Sequence, residues 1–565
     1  MRPAALPTPG PQPWVPDELC ARRSSLAPET RMWDLVVIGA GITGAGIARD
    51  AAMRGLQVLV IEARDIGSGT SSRSSRLIHG GLRYLEQAQL GLVFEAIRER
   101  QRLIELASHL VRPQRFMLST YRGDRVGPLR LRLGLGLYDA LGGWRSRPHQ
   151  FLSAERALAA EPMLNPTLLR GAVTYDDAVT DDFRLTLTVL QDARRHGAEV
   201  ITYAPATAIH ATDGNHRVEV GELGSVMARQ VIVAAGPWTS SRLLGRAAEG
   251  LLALSKGIHL VLRSSDLPVS QPVVFQVPGG PRLMFVVPWG TRTYLGTSDD
   301  PYEGDPADCG STQQEERTLL EMARRWLPHA RLDPGSVVSA WAGVRPLVHA
   351  GNSGATAALS RSHRIVQDQT GIIGVVGGKL TTYRAMAQES VDLVCKRLSR
   401  RDPARTYLAC TTHTTPLVPG APLSPEELQD PLVRDLSFRH GPNSRALADL
   451  ARSQPGHADR IAEDLPYRWI ELVHAIAAEG CTHLDDVLRR RIPLAITDIH
   501  LGAAVAETVA RWLVDAKGGD GQDVQEELDR YCLVVQRETG RRVRLPPRVP
   551  AAQLAQPTQP RVRAR

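Results

Sequence analysis

Three glycines and one acid near the start of the chain have the spacing of a dinucleotide-binding turn. Gly39, Gly41 and Gly44 follow one apolar run of β-branched residues, and Glu62 ends a second such run. In a turn of this kind Gly39 allows the sharp bend, Gly41 lets the backbone approach a pyrophosphate, and Gly44 lets the next helix pack on the strand. We expect Glu62 to accept a hydrogen bond from a ribose hydroxyl. Glycines are common in turns, so this prediction depends on the two strands and the acid.

Two later glycine turns repeat this chemistry. Gly236 follows the apolar run in VIVAAGPW, and Gly378 follows the one in GIIGVVGGKL. At the carboxyl edge of a parallel sheet, the backbone groups of such turns contact a bound nucleotide. Lys379 then begins a predicted helix whose start carries a partial positive charge toward the cofactor.

Basic and aromatic residues occur in glycine-flanked loops, where they could hold an anion. His79, Arg83 and Tyr84 surround a glycine pair, and a serine-rich stretch before them could wrap closely around a ligand. Arg345 lies between Gly343 and a proline, which predicts a loop. Arginine offers a planar, permanently charged set of donors to a phosphate.

The elements that must position these residues follow from hydrophobic patterning. Residues 251–340 read as antiparallel strands that interrupt a doubly wound fold and cover the cofactor. Residues 90–110 predict an amphipathic helix. The segment LRLRLGLGLYDALGGW, residues 129–144, could lie on an anionic bilayer surface or pack its leucines in the core with the arginines solvated.

Composition limits the class of protein. No run reaches the length of about 18 apolar residues that a spanning helix needs, and the first residues do not resemble a secretory signal. The six cysteines form no CxxC pair, which favours reduced thiols in the cytoplasm. The net charge of +8 favours an acidic partner such as a lipid surface, a phosphorylated substrate or nucleic acid.

These patterns divide the chain into four predicted segments. The predicted segments are a disordered extension at 1–30, a nucleotide-binding domain at 31–400 with a cap at about 251–340, a helical domain at 416–540, and a basic disordered tail at 541–565.

Taken together, the motifs identify a family resemblance. VVIGAGITGAGIARDAAMRGL, TSSRSSRLIHGGLRYLE, VAAGPW, AGVRPL and GGKLTTYR resemble the FAD-dependent, quinone-linked glycerol-3-phosphate dehydrogenases. The resemblance implies an α/β, glutathione-reductase-like FAD-binding fold with an interleaved antiparallel-sheet substrate domain and a C-terminal all-α domain. Arg76 departs from the family pattern, which often has lysine there, but it keeps the charge.

The resemblance also implies site residues. Ser71, Ser72 and Ser75 would lie along FAD, and Lys379, Leu380 and Thr381 near its flavin ring. Arg83, Tyr84, Arg345, Arg361 and His259 would surround the substrate phosphate and the reacting carbon. His79 and His259 are alternative bases, and no metal is expected. The charge of Lys379 would stabilise the reduced flavin.

The implied reaction is oxidation of sn-glycerol 3-phosphate to dihydroxyacetone phosphate by hydride transfer to FAD, with electrons passed to membrane quinone. The protein would be attached to the inner face of the cell membrane from the cytoplasm, and a homodimer is compatible with the family. One alternative is an oxidase that uses oxygen, and a second is an amine or amino-acid oxidase. A third, a flavoprotein that binds RNA, lacks a basic aromatic platform, so no nucleic-acid partner is expected.

Overall fold

The computed structural model describes residues 31–81, 90–141, 147–239, 241–349, 359–360 and 363–546. These residues divide into two compact units. The larger unit contains the described residues of 31–422 together with Arg537–Arg541, and the smaller contains Leu423–Gln536 and the described residues from Arg542 onward. The predicted extension at 1–30 and the tail beyond 546 lie outside the described residues.

The first sheet of the larger unit is mainly parallel. Its strands are β1 (Met32–Ile38), β2 (Val58–Ile61), β7 (Glu199–Ile201), β10 (Ser225–Val233), β18 (His363–Gln367) and β19 (Ile373–Gly377), with the hairpin β8 (Ala206–Thr212) and β9 (Asn215–Val220) attached to β10. The strand order is β18-β19-β10-β1-β2-β7. Along β1, alternate side chains enter two different apolar clusters, because both faces of this sheet are covered. The nucleotide-type sheet predicted from the sequence is confirmed.

The second sheet is largely antiparallel. Its strands are β3 (Leu77–Ile78), β4 (Arg112–Tyr121), β5 (Gln150–Ser153), β6 (Leu169–Val179), β11 (Leu252–Arg263), β12 (Val273–Gln276), β13 (Leu283–Trp289), β14 (Arg292–Gly296), β15 (Asp300–Pro301), β16 (Val337–His349) and β17 (Leu359–Ser360). The main path of the sheet has the order β17-β16-β11-β14-β13-β12-β4-β6-β3. The sheet therefore extends beyond the range 251–340 predicted for the cap, because β3 to β6 come from an earlier part of the chain.

Eight described helices belong to the larger unit. They are α1 (Ile42–Met53), α2 (Leu90–Leu106), α3 (Pro128–Leu141), α4 (Ala154–Ala160), α5 (Asp182–Arg195), α6 (Ser241–Leu244), α7 (Gln313–Arg324) and α8 (Tyr383–Arg401). Helix α5 begins where the side chain of Asp181 accepts a hydrogen bond from the backbone N–H of Arg184, and Gly197 follows its end at φ +98°. Both signals were readable in the sequence.

The smaller unit is helical, as predicted. Its helices are α9 (Pro431–His440), α10 (Ser444–Ser453), α11 (Trp469–Ala478), α12 (Leu494–Thr497), α13 (Ala503–Lys517) and α14 (Gly521–Thr539), with a π-helix at Asp486–Arg491. Ser424 precedes only a short 3-10 turn, Glu427–Gln429, and α9 begins at Pro431 behind Asp430, which caps it. Among the described residues, no helix is both long enough and apolar enough to cross a membrane.

Candidate active site

The turn between β1 and α1 has the geometry that its glycines predict. Gly39 has φ +108°, and a Cβ there would approach the carbonyl oxygen of Ala234 to 2.6 Å. A Cβ on Gly44 would overlap the carbonyl oxygen of Gly39, so α1 can lie this close to β1 only with glycine at that position. Gly41 precedes α1 in extended conformation.

The backbone N–H groups of this turn are less free than the sequence suggests. Glu62 Oε2 accepts a hydrogen bond from Ala40 N–H at 2.7 Å, and Ser71 Oγ accepts one from Ile42 N–H at 2.9 Å. Burial raises the pKa of the Glu62 carboxyl, while its backbone hydrogen bonds oppose that effect. Glu62 and Ser71 therefore brace the turn as well as border the space beside it.

A cavity of about 390 Å³ lies against this turn. Its lining includes Glu62, Gly41, Gly236, Gly378 and Lys379. A Cβ built on Gly236 would meet nothing within 4 Å and would enter open space. A space lined by glycine backbone together with an acid and a lysine fits a dinucleotide. We call it the cofactor cavity.

A second cavity of about 240 Å³ adjoins it, and we call this the substrate cavity. Six residues line both cavities, so the two spaces meet along one wall. The shared residues are Thr70, Ser74, Pro346, Gly378, Lys379 and Leu380. The substrate cavity is further lined by cationic side chains from three separate segments, Arg73, Arg282 and Arg345. This arrangement can hold a small anion beside one end of a bound dinucleotide.

Arg345 is fixed in the substrate cavity by oxygen atoms. Its Nη2 donates to Thr297 Oγ1 at 2.7 Å, and its Nη1 donates to the carbonyl oxygen of Ser298 at 3.3 Å and lies 3.4 Å from Asp299 Oδ1. The residue belongs to β16, so the loop predicted for it is wrong. Strand β17 pairs with β16 only beyond Pro346, at Val348 and His349, so the proline lies where β11 is the only described partner of β16.

His79 is held against the segment that carries Lys379. The side-chain oxygen of Thr381 accepts from the backbone N–H of His79 at 3.2 Å and donates to its carbonyl oxygen at 3.3 Å. Thr381 is fully buried, whereas the His79 side chain is partly exposed and lines the substrate cavity. The histidine therefore lies close to the wall that the two cavities share.

His259 has a different environment. Its ring stacks on Trp341 with 4.7 Å between centroids and 11° between planes, and its Nε2 hydrogen-bonds with Ser75 Oγ at 2.9 Å. Burial, reinforced by the positive charges of Arg345 and Arg76, lowers the pKa of His259 well below its usual value. His259 is therefore a neutral imidazole in the cavity wall. Its buried Nδ1 has no hydrogen-bond partner among the described residues.

A buried polar group supports the glycine pair after His79. The Tyr138 hydroxyl donates to Asp177 Oδ1 at 2.7 Å and accepts from Gly80 N–H at 3.1 Å and from Arg100 Nη1 at 2.8 Å. Burial, together with the charge of Asp177, raises the pKa of Tyr138 well above its usual value, so the phenol stays protonated. Asp177 itself lines the substrate cavity.

Arg76 has a structural environment. Its guanidinium lies 4.1 Å above the ring of Trp289 and 3.6–3.7 Å from carboxylate oxygens of Asp181 and Asp182. The side chain is buried and does not line either cavity. A planar guanidinium stacks on an indole better than an ammonium does, which accounts for arginine here.

The structure distributes the other predicted site residues among three environments. Gly39, Gly41, Glu62, Ser71, Gly236, Gly378, Lys379 and Leu380 line the cofactor cavity. His79, Ser75, His259, Arg345, Lys379, Leu380 and Thr381 line the substrate cavity, so Ser75 and Thr381 border that space rather than the cofactor cavity. Ser72 is buried and lines neither, and Gly44 serves helix packing. Arg83, Tyr84 and Arg361 lie outside the described residues.

Sequence reasoning missed Arg73, Arg282, Asp177 and Gly257, which all line the substrate cavity. One signal was available, because Tyr175 and Asp177 are two residues apart in a strand and so share a face. Nothing local in the sequence marks Arg73, whose guanidinium lies 2.5 Å from Glu538 of the segment Arg537–Arg541.

Comparisons with known proteins agree with this geometry. Residues 34–393 match the family model described as FAD dependent oxidoreductase, and residues 369–523 match the C-terminal domain of alpha-glycerophosphate oxidase. The aerobic glycerol-3-phosphate dehydrogenase of Staphylococcus aureus is 34% identical over 487 residues, covering 81% of this chain and 86% of that protein. The chain belongs to the FAD-dependent glycerol-3-phosphate dehydrogenase family. FAD is accordingly the cofactor of this oxidoreductase.

Solved structures support the same fold. The glycerol-3-phosphate dehydrogenase from Bacillus halodurans, complexed with FAD, is 27% identical with a TM-score of 0.73, covering 90% of this chain and 96% of that one. The L-alpha-glycerophosphate oxidase of Mycoplasma pneumoniae has a TM-score of 0.55 at 17% identity, covering 69% of this chain and 100% of that one, and so shares the fold. The predicted fold class and cofactor are confirmed.

Proposed function

We propose that this protein oxidises sn-glycerol 3-phosphate to dihydroxyacetone phosphate and passes the electrons to a membrane quinone. The observation that carries the proposal is the shared wall between the glycine-lined cofactor cavity and the arginine-lined substrate cavity. The names of the Staphylococcus aureus and Bacillus halodurans relatives support the same substrate. Bound FAD supplies the acceptor for the hydrogen that leaves C2 of the substrate.

The substrate phosphate is assigned to the guanidinium end of the cavity. Arg345 and Arg282 supply the cationic donors, and the contacts of Arg345 with Thr297 and Ser298 keep its fork in one orientation. A phosphate dianion in such a pocket needs paired charges, so truncation of one arginine is expected to cost about 2–5 kcal/mol of transition-state stabilisation. Arg83, Tyr84 and Arg361 stay predictions for the same phosphate and reacting carbon.

His79 is the base that we assign to the C2 hydroxyl. It is partly exposed to the substrate cavity, and Thr381 holds its backbone beside the shared wall. His259, by contrast, is buried and poorly basic because its pKa is strongly lowered. A general base must accept the hydroxyl proton at the working pH, and the lowered pKa of His259 argues against that residue. His259 and its partner Ser75 are assigned to orient the substrate.

Lys379 places a positive charge at the junction of the two cavities. Reduction of bound FAD would add negative charge to the flavin, and the lysine would stabilise it. Gly377 and Gly378, at φ +72° and +83°, turn the chain so that Lys379 directly precedes the helical segment leading into α8. Replacing Lys379 by methionine is expected to slow the anaerobic reductive half-reaction. An unchanged rate in a variant that retains its FAD would remove this assignment.

The electron acceptor is the finer part of the proposal. Quinone is favoured because the Staphylococcus aureus relative is named an aerobic dehydrogenase, whereas the match of 369–523 to an oxidase domain favours oxygen as the second candidate. Measuring peroxide during turnover with and without a quinone analogue distinguishes them. Stoichiometric peroxide that a quinone analogue does not suppress would favour the oxidase.

Attachment to the inner face of the cell membrane is proposed because a quinone acceptor is confined to the lipid phase and the chain carries a net charge of +8. The attachment would be peripheral. Recovery of all the protein in the soluble fraction at low ionic strength would contradict it.

The direct test of the reaction is a product assay with a water-soluble dye as acceptor. Glycerol 3-phosphate should reduce the dye and give dihydroxyacetone phosphate, whereas glycerol, whose oxidation would give dihydroxyacetone, should reduce the dye far more slowly because only the phosphate ester engages the arginines. Arg345→Leu should lose about two to three decades of kcat/KM. Equal rates with glycerol would overturn the assignment of the cavity.

A further inference from the structure

The end of helix α14 contacts a residue of the substrate cavity. Glu538, in the last turn of α14, accepts a hydrogen bond from Arg73, with 2.5 Å between Nη2 and Oε1. The side chains of Arg73 and Glu538 are 8% and 5% exposed, so this ion pair is buried. Arg73 lines the substrate cavity, although the two residues are 465 positions apart in the sequence. The segment Arg537–Arg541 therefore supplies the counter-charge of a cavity residue.

The backbone and the side chain of Arg73 are held by different groups. The backbone N–H of Arg73 donates to the carbonyl oxygen of Thr70 at 3.1 Å, and its carbonyl oxygen lies so close to Gly343 that a Cβ there would approach it to 2.5 Å. Among the residues that the structure describes, Glu538 is the only acid that forms an ion pair with Arg73. The direction of the Arg73 guanidinium thus depends on one carboxylate, as is typical of a binding group fixed by a supporting hydrogen bond.

The segment that carries Glu538 has a second attachment to the larger unit. Ser311 N–H donates to the carbonyl oxygen of Glu538 at 3.2 Å. Arg541 donates through both of its terminal nitrogens to the carboxylate of Glu316 in α7, at 2.9 and 2.8 Å. Neither Glu316 nor Arg541 lines a cavity described above. This second pair therefore fastens the segment Arg537–Arg541 without bordering the substrate.

The charges around Arg73 are balanced. Burial raises the pKa of the Cys309 thiol, and four neighbouring charges also act on it, those of Lys256, Arg73, Glu315 and Glu538. Lys256 is paired with Glu315, with 2.7 Å between Nζ and Oε1. The two ion pairs lie near the same thiol and together carry no net charge. Removing the Glu538 carboxylate would leave one excess positive charge next to the substrate cavity.

We propose that Glu538 is a positioning residue of the substrate cavity, which holds the Arg73 guanidinium where it can bind the substrate phosphate together with Arg282 and Arg345. This inference rests on the proposed oxidation of glycerol 3-phosphate. A binding group that is displaced by about 1 Å can lose about a hundredfold in rate, so the orientation of Arg73 matters as well as its charge. All other lining residues of this cavity lie at positions 70–381, and Glu538 connects them with the end of α14.

The direction of the change in KM separates positioning from charge alone. Glu538→Gln removes a negative charge, and this effect by itself would strengthen binding of a phosphate dianion and lower KM. If Glu538 positions Arg73, the guanidinium loses its orientation and KM for glycerol 3-phosphate should rise about tenfold. The value of kcat should change little, because the phosphate is bound equally in the ground state and the transition state. Glu538→Asp keeps the charge but is one methylene shorter, so it should raise KM by a smaller factor.

The test is dye-linked steady-state kinetics of the full-length holoenzyme and its variants. Glu316→Gln is the matched control, because it breaks the pair with Arg541 in the same segment. It should lower the melting temperature as Glu538→Gln does, but leave KM unchanged. Arg73→Met should raise KM, and adding Glu538→Gln to Arg73→Met should raise it no further, because the carboxylate acts through that guanidinium. If Glu538→Gln does not retain FAD, Glu538→Asp provides the same comparisons.

Three outcomes would overturn the inference. They are an unchanged or lowered KM in Glu538→Gln, an equal rise of KM in Glu316→Gln, and a further rise of KM in the double variant. A wild-type holoenzyme that does not oxidise glycerol 3-phosphate would instead refute the proposed function. Calorimetric titration with inorganic phosphate tests the position of Arg73 without turnover, and Glu538→Gln should weaken phosphate binding about tenfold. Equal phosphate affinities in the wild type and this variant would contradict the inference whatever the enzyme oxidises.

Discussion

Gly257 lies directly against the guanidinium group of Arg345. A Cβ built on Gly257 would overlap both Nη atoms of Arg345 and the hydroxyl of Thr297, which is itself a partner of Nη2. Gly257 has no left-handed backbone conformation, so glycine is needed there for space and not for backbone freedom. The lack of a side chain at Gly257 thus determines where the Arg345 guanidinium can lie.

Gly257→Ala should therefore move Arg345 without unfolding the protein, because the displaced atoms are the flexible distal end of the Arg345 side chain and the hydroxyl of Thr297. We expect KM for glycerol 3-phosphate to rise about tenfold or more, with FAD content and melting temperature unchanged. Steady-state kinetics with a dye acceptor measure KM. Gly127→Ala is the control, since its Cβ would meet nothing within 4 Å. Equal KM values in both variants would show that the position of Arg345 does not matter for substrate binding.

Tyr138→Phe should lower kcat while leaving KM and FAD affinity nearly unchanged. The hydroxyl holds Gly80 and Asp177, and we infer that it positions His79 through the adjacent backbone. A loss of about ten- to a hundredfold in kcat is expected, because a displaced base is less effective in the transition state. Tyr302→Phe, which removes a hydroxyl bonded to the carbonyl oxygen of Asp305, should have no effect. A parallel rise in KM would indicate a general loosening of the cavity instead.

The pH dependence of activity should separate the two histidines. If His79 is the base, His79→Gln should remove the acid limb of the kcat/KM profile together with most of the activity. His259→Gln should keep that limb, because burial and two nearby arginines hold the pKa of His259 well below its usual value. Loss of the acid limb in His259→Gln alone would reverse the assignment.

His259 should also make the protein less stable in acid. Its pKa is lower in the folded chain than in the unfolded one, so the unfolded state binds the extra proton first as the pH falls. This contribution to stability is present above the unfolded pKa of about 6.5 and is lost below it, by at most about 1.4 kcal/mol per pH unit. Between pH 7 and 5, thermal unfolding should show a shallower decline in His259→Gln than in the wild type. Parallel curves would contradict the shifted pKa.

The smaller unit contains one buried and one partly exposed ion pair, and the two should differ in their contribution to the free energy of unfolding. Glu471 is buried, and its oxygens lie 2.5 and 2.7 Å from guanidinium nitrogens of Arg439. Glu471→Gln leaves that guanidinium buried without its counter-charge, which should cost about 3–5 kcal/mol in the free energy of unfolding. Glu427→Gln, at the partly exposed pair with Arg445, should cost far less. Denaturant titration of both variants tests this, and equal losses would contradict it.

The parts of this architecture that depend on neighbours in sequence could be predicted. Gly39, Gly44 and Glu62 define a turn within one β-α-β segment, so their spacing alone indicates the geometry. Arg345 was predicted in a loop because a proline follows it, yet β16 continues through Pro346 where β17 does not yet pair. Whether a strand can continue through a proline depends on whether a neighbouring strand must pair with that residue. The sequence does not show which strand is the neighbour.

The contacts that join distant segments could not be predicted. Tyr138, Asp177 and Gly80 come from a helix, a strand and a loop, and their hydrogen bonds exist only once the second sheet has brought the three together. The same holds for Gly257, which reads as an ordinary strand glycine until Arg345 lies against it. The assembly of the substrate cavity is therefore a property of the tertiary structure.

The central claim is that FAD and glycerol 3-phosphate meet across the wall that the two cavities share. Anaerobic mixing of the purified, FAD-loaded protein with glycerol 3-phosphate, followed by visible absorbance, tests it most directly. The account predicts that the flavin band bleaches in the wild type and bleaches far more slowly in Arg345→Leu. A flavin band that glycerol 3-phosphate leaves unchanged in the wild type, while dithionite bleaches it, would contradict the account.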